Sequence, residues 1–211
     1  METEKSYKLL DLISGVFTAS LIISNILAFK IFVIGDIVLD AGILIFPVVY
    51  IINDILAEVY GFKIAKRIIF LGFFTNLLAV ILYNIAMYLP SPDYFEGSEA
   101  FKMVLGTSFR ILLASFVAYL SGSLTNSYVL VSIKKKYKNS LLTRFVLSTL
   151  AGETVDSILF ITIAFLFVIP LESLLIMIIS QIILKTLYEL FAFPITKVIV
   201  NKVKIIENIN Y

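Results

Sequence analysis

The chain has 211 residues, of which 60% are hydrophobic and only 15% are charged, and its formal net charge is +2. Soluble domains carry about 25% charged residues, so this composition, with a mean hydropathy of +1.03, excludes a water-soluble protein and predicts a lipid bilayer as partner. The small net charge gives no indication of nucleic-acid binding. Cysteine and histidine are both absent, which excludes disulfides, thiolate nucleophiles and Cys/His zinc sites. We expect no cofactor and no enzymatic activity.

Six apolar stretches follow one another along the chain. A helix of about 20 residues crosses a hydrocarbon core of about 30 Å, and each stretch reaches about that length. The predicted spans cover residues 9–29, 41–59, 67–89, 108–131, 145–169 and 171–196. We therefore predict an all-α membrane protein with six transmembrane helices in a single domain, residues 1–211. The first stretch lacks a small-residue cleavage site, so we interpret it as a retained span and not as a signal peptide.

Proline and glycine indicate where the spans are connected or bent. The segment PSPDYFEGSEAFK, residues 90–102, predicts a loop between the third and fourth spans. Ile169-Pro170-Leu171 predicts a tight turn between the fifth and sixth spans. Pro47 lies within the second predicted span, where it removes a backbone hydrogen bond and so predicts either a bend or a carbonyl group freed for a ligand.

Lysine and arginine predict the orientation, because short cytoplasmic loops are enriched in both. With six spans and the N-terminus inside, 13 of the 17 basic residues fall on the cytoplasmic side: Lys5, Lys8, Lys63, Lys66, Arg67, Lys134, Lys135, Lys136, Lys138, Arg144, Lys197, Lys202 and Lys204. An odd number of spans would destroy this segregation. We therefore predict both termini in the cytoplasm and a multi-pass protein of the inner, cytoplasmic membrane.

Three predicted spans contain charged or amide side chains. A charge at the bilayer centre costs about 2.5–3.5 kcal/mol on the insertion scale, so such residues face the bundle interior or a cavity. The polar residues are Asn53, Asp54 and Glu58 in the second span, Glu153 and Asp156 in the fifth, and Gln181, Lys185 and Glu189 in the sixth. Helical spacing adds Phe46 and Tyr50 to the face of Asp54, and Phe160 to the face of Asp156. The three helices therefore each present one polar face.

Depth along the helices predicts that these faces meet near the membrane midplane, where transporter sites usually lie. Carboxylates accept hydrogen bonds, a lysine donates to a carbonyl, and the rings of Tyr50, Phe160 or Tyr188 stack on planar groups. The site therefore suits a small, flat, nitrogen-rich or cationic solute. The alternative is structural: Lys185 with Glu153 or Asp156 forms a salt bridge between helices, and Asp54 and Glu58 reach the cytoplasmic interface.

A stripe of small residues, Ala114, Ala118 and Gly122, lies along the fourth span. Small residues at four-residue spacing allow close helix packing in membranes. The stripe predicts contact either within the bundle or between the subunits of a homo-oligomer.

Four motifs in spans two to six resemble those of the queuosine-precursor transporters, also called the vitamin-uptake-transporter-like or VUT family. They are FPVVYIINDILAEVYG at 46–61, ASFVAYLSGSLTNSYVL at 114–130, GETVDSILF at 152–160 and KTLYELFAFPIT at 185–196. One departure occurs after the glycine of span four, where other members often carry Gln or Glu and then Asp, whereas this chain has Ser123 and Asn126.

The resemblance implies a six-helix uptake protein, similar in helix number to the substrate-binding subunits of energy-coupling-factor transporters. It implies import of 7-cyano- or 7-aminomethyl-7-deazaguanine, or of queuine, for salvage into tRNA modification. The family's acids fall on Asp54, Glu58, Glu153 and Asp156, and its basic residue falls on Lys185. Our hypothesis is that Asp156 or Glu153 binds the guanine-like edge and Asp54 the 7-substituent.

Three functional classes stay open from sequence alone. The first is a transporter, driven by protons or by intracellular consumption of its substrate. The second is a substrate-binding membrane subunit that needs an ATPase partner. The third, an intramembrane enzyme, is disfavoured because paired acids are its only support.

Overall fold

The computed structural model describes residues 7–27, 30–34, 37–106, 109–138, 140–168 and 170–209. Seven α-helices dominate the described chain: α1 Leu10–Leu27, α2 Phe46–Ile55, α3 Phe62–Met87, α4 Ser98–Leu105, α5 Phe109–Ile133, α6 Leu141–Phe165 and α7 Leu171–Ile206. A 3-10 turn, Ala41–Leu44, precedes α2, and a π-helical segment, Leu56–Tyr60, follows it. The prediction of a helical membrane protein is confirmed at this level.

Five of the described helices are long and apolar enough to cross a membrane: α1, α3, α5 over Leu113–Ile133, α6, and α7 over Leu174–Ile206. These correspond to five of the six predicted spans. The remaining stretch, 41–59, is divided among the 3-10 turn, the ten-residue α2 and the π segment. Pro47 occupies the first turn of α2, where a missing N–H costs no helical hydrogen bond. The predicted loss of a helical hydrogen bond in mid-span is therefore wrong, because Pro47 lies in the first turn of α2.

The connections contain more structure than the sequence predicts. Between α1 and the 3-10 turn, strands β1 Ile31–Ile34 and β2 Ile37–Asp40 pair antiparallel, with Ile31 opposite Asp40. The predicted loop 90–102 runs into the short helix α4. Ile169, the first residue of the predicted tight turn between the last two spans, lies outside the described residues; on either side of it, α6 ends at Phe165 and α7 begins at Leu171.

The interior of the bundle is built around α2 and the π segment. Every residue from Ile52 to Tyr60 is buried, and the surrounding apolar core draws on α1, α3, α5, α6 and α7. Irregular backbone at membrane depth is tolerated only where protein surrounds it, because lipid offers no hydrogen bonds. A short helix followed by a wide π turn is therefore possible here, at the centre of the bundle.

Two glycines bring α5 and α6 into close contact. A Cβ added at Gly122 would lie 2.7 Å from the Cβ of Asp156, and one added at Gly152 would lie 2.7 Å from the Cβ of Asn126. Ala114 and Ala118 are also buried. The small-residue stripe therefore packs inside the bundle, which is one of its two predicted roles. Oligomerisation through this face stays a prediction, and the chain's own helices already cover these residues.

We expect Gly152→Ala to lower the thermal unfolding temperature of the purified protein, because the added methyl group meets Asn126 and the carbonyl of Gly122 at 2.9 Å. Overpacking of this kind typically costs about 1–3 kcal/mol. The matched control is Gly15→Ala, since a Cβ at Gly15 has no neighbour within 4 Å. Equal unfolding temperatures for the two variants in detergent would contradict this packing.

The two ends of the described chain meet at Glu207. Its carboxylate accepts hydrogen bonds from the backbone N–H groups of Lys8 at 2.9 Å and Leu9 at 2.7 Å, and from the Tyr60 hydroxyl at 2.9 Å. A carboxylate at the start of α1 satisfies N–H groups that have no partner within the helix. Burial raises the pKa of Glu207, but the hydrogen bonds from Leu9, Lys8 and Tyr60 outweigh it, and the pKa is lowered.

A lowered pKa means that Glu207 stabilises the fold above the ordinary pKa of a glutamate and loses this effect as the pH falls through its own lower value. We expect Glu207→Gln to reduce stability at pH 7 by about 1 kcal/mol, as for loss of a helix cap. The difference from wild type should shrink below about pH 4. Thermal unfolding measured from pH 7 downward tests this, with the exposed Glu172→Gln as control. A loss of stability in Glu207→Gln that does not change with pH would show that the charge of Glu207 plays no part.

Candidate functional site

A small cavity lies between α2, α6 and α7. Its lining residues are Tyr50, Ile51, Asp54, Glu153, Lys185, Tyr188, Glu189, Ala192 and Thr196. Three of them are carboxylic acids and one is a lysine, although all of them belong to helices with apolar outer faces. A polar cavity enclosed by such helices is where a membrane protein binds a polar solute.

One side of the cavity is a lysine held between two acids. The Lys185 Nζ lies 2.6 Å from Asp156 Oδ2 and 2.9 Å from Glu153 Oε2. The Tyr50 hydroxyl hydrogen-bonds to Glu153, a residue that is only 2% exposed. Glu153 and Asp156 lie one turn apart on α6. Lys185 on α7 supplies the cation, and Tyr50 on α2 supplies the phenol. This acid–lysine cluster, Glu153, Asp156 and Lys185, therefore joins α6 to α7, and Tyr50 adds α2 to the same side of the cavity.

The other side of the cavity is a pair of acids. Asp54 of α2 and Glu189 of α7 are both buried, and their carboxyl groups lie within hydrogen-bonding reach of each other. The side chain of Asn126 on α5 lies next to Asp54, and the Thr149 hydroxyl on α6 donates to Glu189 Oε2. This carboxyl pair, Asp54 and Glu189, lies one turn of α7 from Lys185, so both groups border the same space.

The chain matches a known family along most of its length. A family model described as "Putative vitamin uptake transporter" matches residues 40–199. The chain belongs to this family. The membership indicated by the four sequence motifs is thereby confirmed, and the protein is a multi-pass membrane protein of a transporter family.

Curated relatives of this vitamin uptake transporter family member share about a quarter to a third of their aligned residues with it. A "Probable queuosine precursor transporter" of Bacillus subtilis (strain 168) is 25% identical over 156 residues, 72% of this chain and 68% of the relative. A protein of the same name from Haemophilus influenzae (strain ATCC 51907 / DSM 11121 / KW20 / Rd) is 31% identical over 127 residues, 59% of this chain and 51% of the relative.

A third relative, the "Queuosine precursor transporter" of Escherichia coli (strain K12), is 28% identical over 124 residues, 59% of this chain and 54% of the relative. The chain therefore spans about half the length of the last two relatives and about two thirds of the first. No solved structure matches the chain.

In this family member, six of the residues proposed from sequence line the cavity: Tyr50, Asp54, Glu153, Lys185, Tyr188 and Glu189. Asp156 joins them through its contact with Lys185. Gln181 and Phe160 do not line the cavity, and the Phe160 ring packs edge-on against Phe165. The proposed side chain of Phe46 lies outside the described residues.

Two further predicted residues lie next to the cavity but make other contacts. Asn53 is buried, and its Oδ1 accepts a hydrogen bond of 3.2 Å from the Ser127 hydroxyl of α5. Glu58 is fully buried and binds cations, as described below. Substrate contact by any residue of the predicted set stays a prediction, but geometry favours those around the cavity.

Sequence reasoning missed Ile51, Ala192 and Thr196 in the cavity wall, and Thr149 beside it. Thr196 lies seven residues after Glu189, and Thr149 lies four residues before Glu153. Thr196 therefore lies on the same helix face as Glu189, and Thr149 on the same face as Glu153, two residues that the sequence had indicated. Helical spacing would have found them if hydroxyl groups had been followed along with charges.

Glu58 forms a separate cluster with three cations. Arg144 Nη1 lies 2.8 Å from Glu58 Oε2, whereas Lys204 Nζ at 2.7 Å and Lys134 Nζ at 3.4 Å approach Glu58 Oε1. Lys134 also donates to the Glu58 backbone carbonyl at 2.6 Å. These partners come from the turn after α5, from α6 and from α7. The Glu58 cluster thus joins four parts of the chain beside the π segment.

Proposed function

We propose that this protein imports a queuosine precursor, namely 7-cyano- or 7-aminomethyl-7-deazaguanine or queuine, across the cytoplasmic membrane for use in tRNA modification. The observation that carries the proposal is the acid–lysine cluster beside Tyr50 in a cavity among membrane helices. Membership of a transporter family and the names of the three relatives support the same function. We expect transport without covalent chemistry.

The proposed mode of binding exchanges contacts within the cluster for contacts with the substrate. A deazaguanine presents a ring N–H and an exocyclic amine side by side, and a carboxylate accepts both. Glu153 or Asp156 would bind this edge, while Lys185 would donate to the ring carbonyl. Tyr50 and Tyr188 offer rings for stacking. Each group that loses its partner within the cluster gains one from the substrate, so no buried charge is left alone.

The 7-substituent would then point to the carboxyl pair. A cationic aminomethyl group would be attracted to Asp54 and Glu189, whereas a cyano group needs a hydrogen-bond donor. Among the described groups around the pair, Asn126 and Thr149 bring donor atoms. The identity of the preferred precursor therefore depends on this side of the cavity.

We further propose six membrane crossings with both termini in the cytoplasm, the sixth being supplied by the broken stretch 41–60. Glu207 hydrogen-bonds to residues 8 and 9, which supports an even number of crossings because both ends then lie on one side. The segregation of Lys and Arg supports the cytoplasm as that side. Since the chain has no cysteine, single substitutions test the topology directly. A membrane-impermeant maleimide should label Glu96→Cys in intact cells and Lys138→Cys only after permeabilisation.

A binding panel followed by reconstitution tests the function. Thermal stabilisation of the purified protein by 7-cyano-7-deazaguanine, 7-aminomethyl-7-deazaguanine and queuine is compared with that by guanine and unrelated vitamins. We expect stabilisation by at least one deazaguanine and uptake of it into liposomes that contain only this protein. No stabilisation by any of the three would overturn the substrate class. Binding without uptake would favour the alternative of a subunit that needs an ATPase.

A further inference from the structure

The carboxyl pair lacks a donor for two of its oxygens. Asp54 Oδ1 and Glu189 Oε1 are buried and accept no hydrogen bond from any donor of the described residues, although the two carboxyl groups lie within hydrogen-bonding reach of each other. An ionised carboxylate has no proton to donate, so two carboxylates cannot form a hydrogen bond. A single proton between them supplies the missing donor and removes the repulsion of two like charges.

No cation neutralises this pair within the described residues. The Lys185 ammonium contacts Glu153 and Asp156 instead, and the three cations near Glu58 contact that residue. With the three lining acids and Asp156 all ionised against one lysine, the cavity region would hold a large excess of negative charge among membrane helices. One proton on the carboxyl pair reduces this excess, which is costly at membrane depth.

The groups around the pair come from α2 itself, the π segment, α5, α6 and α7. They are Tyr50 of α2, Glu58 of the π segment, Asn126 of α5, Thr149 and Glu153 of α6, and Lys185 of α7. In α1 the titratable side chain is Asp11, in its first turn. The nearest titratable neighbours other than Lys185 are therefore acids or a phenol, which favour a proton on the pair.

We propose that Asp54 and Glu189 hold one shared proton, and that this proton crosses the membrane together with the substrate, so that uptake is proton symport. The inference rests on the proposed transport function. The proton enters from external water onto a carboxylate oxygen of the pair. It leaves to cytoplasmic water when the cavity opens inward, and the pair returns with two carboxylates. Asp54, Glu189 and Lys185 border one cavity, so substrate bound at the acid–lysine cluster contacts the pair that carries the proton.

Infrared spectroscopy tests the shared proton without any substrate. At neutral pH the purified protein should show a carbonyl stretch of a protonated carboxyl group, and Asp54→Asn and Glu189→Gln should each remove or shift it. Glu172→Gln, an exposed position on the same helix as Glu189, should leave the band unchanged. A band that is absent, or that persists unaltered in both variants of the pair, would overturn the inference. Both replacements are nearly isosteric, and size-exclusion chromatography is the check that the variants are folded.

Transport in liposomes tests the coupling. At equal pH, vesicles loaded with unlabelled 7-cyano-7-deazaguanine should exchange it for labelled compound in the wild type. An external medium more acidic by one unit should then support about tenfold accumulation, because one proton per substrate contributes about 1.4 kcal/mol. Asp54→Asn and Glu189→Gln should lose this accumulation, whereas Glu172→Gln should keep it.

Exchange at equal pH and accumulation under a pH gradient together separate the proton-symport inference from the proposed function. Exchange without any response to the pH gradient would overturn the symport and leave the transport function intact. Absence of both binding and exchange for all three deazaguanines would overturn the proposed substrate class and, with it, symport of these compounds. In that case the infrared result still decides whether the pair holds a proton.

Discussion

Replacing Lys185 with methionine is expected to weaken binding of 7-cyano-7-deazaguanine by about 10- to 100-fold. Hydrogen bonds to charged groups contribute about 1.5–3 kcal/mol, and in the proposed binding mode Lys185 donates such a bond to the ring carbonyl. Its loss also removes the cation that Glu153 and Asp156 both contact, which leaves these two acids near each other without the partner that compensates their charge. Isothermal titration with the purified protein measures the effect.

Lys197→Met is the matched control, because Lys197 lies on the same helix α7 but is exposed. It removes the same charge and should leave the affinity unchanged. Lys185→Arg keeps the charge but places a planar, forked group in the cluster, so we expect it to recover only part of the affinity. Wild-type affinity in Lys185→Met would show that the acid–lysine cluster is structural and would contradict the proposed binding mode.

Replacing Glu58 with glutamine is expected to destabilise the protein by about 3–5 kcal/mol, the usual cost of removing one partner from a buried ion pair. Arg144 is 2% exposed and depends on Glu58 for its ionic contact at 2.8 Å. Lys204 loses its contact at the same time. Thermal unfolding and the yield of folded protein in detergent measure the effect.

A double variant separates a structural role of Glu58 from a role in substrate binding. Adding Arg144→Met to Glu58→Gln removes a buried charge that the single variant leaves unpaired, so we expect part of the stability to return. Glu99→Gln is the control: Glu99 is exposed, and its contact with Lys102 at 4.0 Å contributes little. A Glu58→Gln protein that is fully stable but fails to bind deazaguanine would instead support the substrate role predicted from sequence.

Most of the residues that line the cavity could be predicted from the sequence, for a physical reason. Lys185 and Glu189 are four residues apart on an apolar helix, where charges are costly and therefore face inward. Glu153 and Asp54 follow from the same argument applied to their own helices. That these helices meet was inferred from the depth of their polar residues in the membrane. This inference required no knowledge of the loops.

The Glu58 cluster could not be predicted in the same way. Its partners Lys134, Arg144 and Lys204 lie in three separate segments that were expected to face cytoplasmic water. Their side chains turn inward only because the core around the π segment brings those segments together. Long basic side chains reach in either direction from a membrane boundary, so position along the chain does not determine their partners.

The shape of the second span was also beyond local sequence. The residues Leu56–Tyr60 have no proline or glycine, so their pattern favours a regular α-helix. The π turn depends on surrounding helices and on the contacts of Glu58 and Tyr60. Likewise, Asp54, Glu189 and Asn126 lie on α2, α7 and α5, and only the packed structure brings those residues together.

The contact of Glu207 with residues 8 and 9 has a further consequence for the dynamics of the bundle. Chain ends usually fray and exchange their amide hydrogens quickly. Here the first turn of α1 is held by the C-terminal end of α7, and the same carboxylate binds Tyr60 at the centre of the fold. Neither terminal helix can open without breaking a contact of the core. The amides of Lys8 and Leu9 should therefore exchange as slowly as those of interior helices, and both ends should unfold in one cooperative step with the core.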